Sequence, residues 1–118
     1  MQHSKKIANI GENIAISFLL KHGFTIIHRN FMVSHHEIDI IAEKTGFYYL
    51  FEVKTVDRRS KIFPEEQISK KKRKYLFQAR RDFSQNTGLL EDKIFIEFIG
   101  IILDFKNKMA NIKYFSRF

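Results

Sequence analysis

The chain of 118 residues contains no cysteine, and its single proline is Pro64. Without cysteine, the protein has neither a disulfide framework nor a cysteine-ligated zinc site. Long apolar runs are also missing, so the sequence offers no candidate for a membrane-spanning helix. The basic start of the chain is interrupted by polar residues and lacks a small-residue cleavage site, which argues against a secretory signal. We therefore expect a soluble cytoplasmic protein without a membrane partner.

Acidic residues are scarce relative to basic ones, with 13 Asp and Glu against 21 Lys and Arg, and the net charge is +8. A small domain with this excess indicates a polyanionic partner, and we expect nucleic acid, with DNA as the first choice. The same charge is also compatible with simple solubility. The cations cluster in the second half of the chain, and we predict that the following bind nucleic acid: Arg58, Arg59, Lys70, Lys71, Arg73, Lys74, Arg80 and Arg81.

Apolar and aromatic residues are plentiful, at 44% of the chain with 13 phenylalanines. This content supports a packed core, and the chain length fits a single domain over residues 1–118. Helical and alternating hydrophobic patterns predict seven elements in the order α-β-β-β-α-β-β. We predict helices over 4–22, capped by Ser4 and ended at Gly23, and from Pro64 to about Phe83, and strands over 24–33, 37–43, 47–56, 94–103 and 109–116.

The connections between these elements predict how the strands pair. Short turns join the first three strands, which favours an antiparallel meander. The helix after Pro64 is a crossover, so the next strand can lie parallel to the third. We therefore predict an α/β fold with a central mixed sheet of about five strands, flanked by helices. Within the second strand, alternation predicts that Ile38, Ile40 and Ala42 share one face.

The segment YYLFEVKTV places Glu52 and Lys54 inside a strand that is otherwise apolar. Charged side chains rarely occupy buried strands unless they are paired or functional. One explanation is an ordinary ion pair on a half-exposed face. The other is a functional site, because hairpin pairing would bring Asp39 beside Glu52 and Lys54. Two adjacent carboxylates repel each other unless a cation lies between them.

A third acid, Glu12, lies at the border of the apolar stripe of the first helix. It is either a solvated helix residue or a contributor to the same site. Phosphodiester hydrolysis requires a divalent metal, which stabilises negative charge and lowers the pKa of a water molecule, and a cation near the reacting phosphate. Two or three carboxylates and a lysine supply these groups. The pattern therefore indicates a metal-dependent nucleic-acid phosphodiesterase.

Several motifs resemble those of one known family. The spacing D-x(12)-E-V-K from Asp39 to Lys54 resembles the PD-(D/E)xK motif of the restriction-endonuclease-like superfamily. Further segments agree with the YraN family of that superfamily, whose small bacterial members are similar to archaeal Holliday-junction resolvases. The agreement spans about residues 10 to 115 and rests on these segments: GE at 11–12, RNF at 29–31, EIDII at 37–41, FEVKT at 51–55, Pro64, and the spaced Ile68, Lys72 and Ala79.

The resemblance implies a restriction-endonuclease-like fold and an endonuclease that uses Mg²⁺ or Mn²⁺ and acts on DNA, with branched or damaged structures as candidate substrates. A homodimer is a hypothesis from the same analogy. The resemblance also implies roles for individual residues: Glu12, Asp39, Glu52 and the Val53 backbone carbonyl as metal ligands, Lys54 as the catalytic lysine, and Glu37 as a supporting acid. Lys72, in the middle of an apolar helix stripe, either lies along the sheet edge or reaches this site as a further supporting residue.

The chain departs from the family pattern at three places. His36, preceded by His35, stands where the family usually has glycine, and the pair is either solvated or a set of additional metal ligands. Glu97 replaces an aspartate, and Thr55 stands where a second basic residue is common. None of these changes removes a predicted metal ligand.

Two other functions are compatible with the sequence. A non-catalytic nucleic-acid-binding protein would keep the fold and the basic residues, and its acids would form a structural ion network. A basic subunit of a protein complex would use the phenylalanine-rich surface instead. Metal binding at the acids separates the nuclease from the first alternative. Salt-sensitive DNA binding separates it from the second, because each phosphate contact releases counterions.

Overall fold

The computed structural model describes residues 2–116. It contains two long helices and five strands, joined by short turns and three single-turn 3-10 helices. The order α-β-β-β-α-β-β is the predicted one. The elements are α1 (Gln2–Lys21), β1 (Thr25–Val33), β2 (His36–Lys44), β3 (Phe47–Asp57), α2 (Lys70–Thr87), β4 (Ile94–Asp104) and β5 (Met109–Phe115).

The five strands form one mixed sheet in the order β1-β2-β3-β4-β5. Strands β1, β2 and β3 are an antiparallel meander, and β5 pairs antiparallel with β4. The β3–β4 pair is parallel, because the chain returns through α2 before it enters β4. The predicted α/β fold, with a mixed sheet flanked by helices, is confirmed.

Each helix covers one face of the sheet with its own hydrophobic core. On one face, Ala15 and Leu19 of α1 pack against a set that includes Phe51 and Val53 of β3. On the other face, residues of α2 that include Leu76 pack against Leu50 and its neighbours. Strand β3 is therefore buried on both sides, which explains its nearly continuous apolar sequence.

The predicted start of the second helix at Pro64 is wrong. Pro64 begins a 3-10 turn that ends at Gln67, and α2 begins only at Lys70. The helix cap is Ser69, whose hydroxyl accepts a hydrogen bond from the Lys72 backbone N–H at 3.0 Å. Proline favours the first turn of a 3-10 helix as well as that of an α-helix, so its presence did not identify the type of helix.

The first helix also begins earlier than predicted, at Gln2, so Ser4 lies inside it and does not cap it. Its predicted end is confirmed, since α1 stops at Lys21 and Gly23 follows in the turn before β1. No helix within residues 2–116 is long and apolar enough to cross a membrane.

The predicted alternation of β2 fails at its first residues. Ile40 and Ala42 belong to the core under α1, as expected, but Ile38 belongs to the core under α2 together with Ile41. Two residues three positions apart lie on opposite faces of a regular strand. The strand is therefore irregular around Asp39, opposite a β1 residue, Asn30, whose φ is +52°.

Candidate active site

The site lies where β2 and β3 separate. The pairing of β2 with β3 ends at Ile40 and Phe51, so the next residue of β2, Asp39, has no backbone partner on β3. Its carboxylate instead accepts a hydrogen bond from the Val53 backbone N–H, with an Oδ2–N distance of 2.8 Å. The irregular backbone of β2 thus places Asp39 at the sheet edge, next to Glu52.

Glu52 occupies the face of β3 that α2 covers, and only 8% of the residue is exposed. Its Oε2 atom lies 3.5 Å from Nζ of Lys72 on α2. Its Oε1 atom is buried and has no hydrogen-bond partner within the described part of the chain. A buried carboxylate oxygen without a partner is costly, so this atom is a candidate for binding a cation.

Glu52 disfavours the ionisation of Asp39. Burial, followed by the charge of Glu52, raises the pKa of Asp39 from 3.8 to about 7. The Val53 N–H and the charge of Lys72 act in the opposite direction but do not cancel the effect. A divalent cation bound between the two carboxylates would relieve this repulsion.

Glu12 joins this group from α1. Its side chain is only 13% exposed, and burial and the charge of Asp39 raise its pKa. Gly11 makes this approach possible, because a Cβ atom there would lie 1.8 Å from Oγ1 of Thr55 on β3. In the GE pair of the sequence, Gly11 therefore allows α1 to pack closely on β3. This packing places the next residue, Glu12, near Asp39.

Arg29 is a site residue that the sequence analysis quoted only within a family motif, without a role. Its Nε atom lies 3.3 Å from Oε1 of Glu12, and its Nη1 atom donates to Oδ1 of Asn13 at 2.7 Å. Arg29 on β1 thus holds the Glu12 side chain across the edge of the sheet. No pattern in β1 could reveal this, since the contact joins two elements that are distant in sequence.

Lys54 is exposed and lines the same cleft, which has a volume of about 390 Å³ and also includes Glu12, Asp39 and Glu52. Its Nζ atom makes no hydrogen bond or ion pair with any residue between 2 and 116. Val53 also lines the cleft. The five residues to which the family resemblance assigned metal binding and catalysis are therefore brought together.

Lys72 reaches the site from α2, where it pairs with Glu52. Tyr75, one helical turn later, supports it with its ring 4.5 Å from Nζ of Lys72. The Tyr75 hydroxyl accepts a hydrogen bond from the Glu37 backbone N–H at 2.6 Å, which ties α2 to the start of β2.

Glu37 and the two histidines do not join the carboxylates. The Glu37 side chain is exposed and lies outside the cleft lining. The imidazole of His36 instead points to α2, where its Nε2 atom lies 3.7 Å from Asp82 and its ring packs edge-on against Tyr75. His35 is exposed in the β1–β2 turn. The supporting role for Glu37 and the metal-ligand alternative for the histidines thus find no support in this geometry.

The predicted nucleic-acid-binding cations are not equivalent. Arg80 is structural, because it donates to the backbone carbonyls of Ile94 and Glu91 at 2.8 and 2.6 Å. Arg59 is paired with Asp57 at 2.6 Å, and Arg58 lies 3.8 Å from Asp104. The remaining members are exposed on α2: Lys70, Lys71, Arg73, Lys74 and Arg81.

Glu97, the residue in place of the family aspartate, lies outside the site. It is buried on β4 and accepts a hydrogen bond from the Tyr114 hydroxyl of β5. It lines a separate cavity of about 380 Å³ near the end of α1. Burial and Glu97 together raise the pKa of the Tyr114 hydroxyl. This acid is therefore a structural partner of the β4–β5 pair.

The carboxylate oxygens are suitable ligands for a hard divalent cation, but their positions form only part of a coordination site. Among residues 2–116, no group of three or more histidine, aspartate or glutamate side chains forms a ready metal cage. Asp39 and Glu52 nevertheless offer two neighbouring sets of oxygen ligands and one buried oxygen without a partner in the described chain. These are the properties of a Mg²⁺ or Mn²⁺ site with few protein ligands, in which Glu12 would join by leaving Arg29.

Comparison with known sequences agrees with the motifs. The model of the family described as "Uncharacterised protein family UPF0102" matches residues 11–101. A UPF0102 protein of Dictyoglomus turgidum is 34% identical over 114 residues, which cover 95% of both chains. A UPF0102 protein of Caldicellulosiruptor bescii is 36% identical over 112 residues, which cover 92% of both chains. The chain therefore belongs to the UPF0102 family, the YraN family of restriction-endonuclease-like fold that its sequence motifs indicated.

Proposed function

We propose that the protein is a metal-dependent nucleic-acid phosphodiesterase, an endonuclease acting on DNA. The observation that carries this proposal is the pair formed by the buried Glu52 and the half-buried Asp39 in one cleft, with Lys54 lining that cleft and Lys72 paired with Glu52. A structural ion network would pair each charge. Here one oxygen of Glu52 has no partner in the described chain, and Asp39 is held next to a like charge.

The roles of the residues follow from their positions. Asp39, Glu52 and the Val53 carbonyl would hold Mg²⁺ or Mn²⁺, with Glu12 as a further ligand. Bound there, the metal would stabilise the negative charge that develops on the phosphoryl oxygens. Lys54, exposed at the cleft, would bind the scissile phosphate and stabilise its charge during the reaction.

Lys72 has a different role, because it is paired with Glu52 and supported by Tyr75. It would hold the Glu52 carboxylate in place. Removing Lys72 would leave two buried acids without their nearest cation, so its loss would weaken metal binding more than phosphate binding.

The exposed cations of α2 would bind the phosphate backbone on the same side of the sheet as Glu52. Lys70, Lys71 and Lys74 lie in the first turns of α2, close in sequence to Lys72. Such contacts are independent of base sequence, so recognition would depend on backbone and shape. Two copies of the site would be needed to cut both strands of a junction, which makes a homodimer on DNA part of the proposal.

A cleavage assay with matched variants tests the proposal. Labelled duplex, single-stranded and four-way-junction DNA is incubated with Mg²⁺ or Mn²⁺ and with each protein variant. We expect cleavage by the wild type and a loss of roughly 100-fold or more in Asp39→Asn and Lys54→Met. The controls are Asp92→Asn and Lys21→Met, which remove the same charges from exposed positions outside the cleft and should cleave like the wild type.

A thermal-unfolding measurement with and without Mn²⁺ tests the metal site independently of cleavage. A ligand that binds only the folded state stabilises it, by about 1.4 kcal/mol at ten times its dissociation constant. We expect this gain in the wild type and in Lys54→Met, but not in Asp39→Asn. If no DNA is cut, no metal stabilisation occurs and all variants bind DNA alike, the acids are structural and the protein is a non-catalytic binder.

A further inference from the structure

Phe63 is a large aromatic side chain that the hydrophobic cores do not use. It lies in the connection between β3 and α2, and 53% of the residue is exposed. Its neighbour Ile62 is 43% exposed, so the connection presents two adjacent apolar side chains to solvent. Burying them would have been favourable, and their exposure in a structured segment indicates a binding surface.

The backbone at Phe63 is fixed rather than loose. The Phe63 carbonyl accepts a hydrogen bond from the Glu66 N–H at 3.0 Å in the 3-10 turn. The next residue, Pro64, is buried against β4, where only glycine fits: a Cβ atom at Gly100 would lie 2.9 Å from Cβ of Pro64. The ring of Phe63 is therefore presented from a rigid anchor.

One cation, Lys113, contacts this ring. Nζ of Lys113 lies 4.6 Å from the centroid of the Phe63 ring and 3.2 Å from Oε2 of Glu65. Arg58 and Lys61 are exposed in the same connection. An exposed aromatic ring among cations suits a flat, anionic ligand, and a nucleotide has both properties: a base that stacks and a phosphate that pairs with lysine or arginine.

The ring lies on the face of the sheet that carries the catalytic lysine. Lys54 is paired in register with Gly100, and Gly100 with Lys113, so the three residues form a row across β3, β4 and β5. With neighbouring strands about 4.8 Å apart, the backbones of Lys54 and Lys113 are separated by roughly 10 Å. A single nucleic-acid strand a few nucleotides long spans a separation of this size.

We propose that Phe63 is a stacking platform for an unpaired base, a few nucleotides from the phosphate bound at Lys54. The substrate would then contain a single-stranded or frayed segment beside the cleavage point, since a base within an intact duplex cannot stack on a protein ring. This inference rests on the proposed function for the binding of a nucleic acid, and it does not require cleavage.

Tryptophan fluorescence provides a direct test, because the chain contains no tryptophan. The Phe63→Trp variant is titrated in EDTA with an oligothymidine of about 12 nucleotides and with a duplex of equal length. We expect the fluorescence to be quenched by the single strand and much less by the duplex at equal saturation. The control is Leu20→Trp, at a residue that is 56% exposed near the end of α1, outside the cleft and outside α2, and it should be quenched by neither.

Affinity measurements complete the test. We expect Phe63→Ala and Phe63→Leu to bind the oligothymidine roughly 5- to 100-fold more weakly than the wild type, as for loss of one stacked base. The Leu20→Ala variant should bind like the wild type. Thermal unfolding of each variant confirms that it is folded, and Phe63→Leu retains the apolar side chain while it removes the ring.

The outcomes separate this inference from the proposed nuclease activity. Quenching and the affinity loss without any cleavage would support the stacking platform and contradict the nuclease. Cleavage with no quenching and unchanged affinity in Phe63→Leu would support the nuclease and overturn the platform. No salt-sensitive binding of either oligonucleotide would overturn both.

Discussion

Asp39 shows how a single residue can combine structural and chemical demands. The Asp39 carboxylate accepts the hydrogen bond from the Val53 N–H, in the place of a backbone carbonyl of β2. It does so next to Glu52, a buried acid. Such an arrangement reduces the stability of the protein without metal, because one of two adjacent acids must take up a proton or remain charged against its neighbour. Functional sites commonly retain strain of this kind.

The Asp39→Asn variant should therefore be more stable than the wild type in EDTA at pH 8. A carboxyl whose pKa is raised from 3.8 to about 7 binds its proton more tightly in the folded state. The wild type therefore loses unfolding free energy as the pH rises from about 4 to about 7, by roughly 1–3 kcal/mol. Asparagine retains an oxygen for the Val53 N–H but carries no charge, so the variant avoids this loss.

Urea denaturation at pH 5 and pH 8 measures the effect as a difference between variant and wild type. The gain should be larger at pH 8 than at pH 5. Asp92→Asn, at an exposed residue of the turn before β4, is the matched control and should leave the difference near zero. Equal stability of Asp39→Asn and wild type at pH 8 would contradict the proposed repulsion between Asp39 and Glu52.

At the scale of elements, the position of α1 on β3 decides whether Glu12 reaches the cleft. We expect Gly11→Ala to destabilise the protein by roughly 1–3 kcal/mol, since a Cβ atom there would lie 1.8 Å from Oγ1 of Thr55 and the helix must move. The same displacement would withdraw Glu12 from Asp39, so Mn²⁺ binding should weaken as well.

A double-mutant cycle with Thr55→Ala identifies the cause. Alanine at position 55 removes Oγ1 and Cγ2, so the double variant should be less destabilised than the sum of the single variants. Asn9→Ala, at an exposed position of α1, should have little effect on unfolding or on Mn²⁺ binding. Strict additivity in the cycle would show that the helix–strand contact is not the source of the destabilisation.

The second helix illustrates what local patterns leave open at this scale. Proline with two following acids is typical of a helix start, and a turn does begin at Pro64. The α-helix nevertheless begins only at Lys70, because Pro64 packs against Gly100 of β4 in a separate turn. The start of the helix therefore depends on a strand 36 residues further along the chain, and local helix propensity does not indicate this contact.

At the scale of the whole molecule, the net charge of +8 is the feature with the broadest consequence. Replacement of Lys70, Lys71 and Lys74 by glutamine should weaken DNA binding for all sequences alike. It should also reduce the slope of log affinity against log salt by about two to three, since each lost phosphate contact contributes about 0.9 on duplex DNA.

Fluorescence anisotropy across a range of salt concentrations measures this slope. The matched control replaces Lys21, Lys93 and Lys106, which are exposed outside the first turns of α2, and keeps the total charge equal to that of the test variant. Equal slopes for the two triple variants would show that the total charge of the protein, and not the surface of α2, determines the salt dependence of DNA binding.

The sequence by itself determined the order and type of the elements, the mixed sheet and the acids of the site. Hydrophobic residues repeat every 3.6 residues in helices and every 2 residues in strands, and these repeats can be recognised in the local sequence. The charges of Glu52 and Lys54 within an apolar strand can also be recognised without a structure. Only the tertiary structure decided which groups meet: Arg29 with Glu12, Lys72 with Glu52, Tyr75 with Glu37, His36 with Asp82, and Arg80 with two backbone carbonyls. The physical reason is that each of these contacts joins elements distant in sequence, where packing and backbone irregularity set the geometry and residue type alone does not.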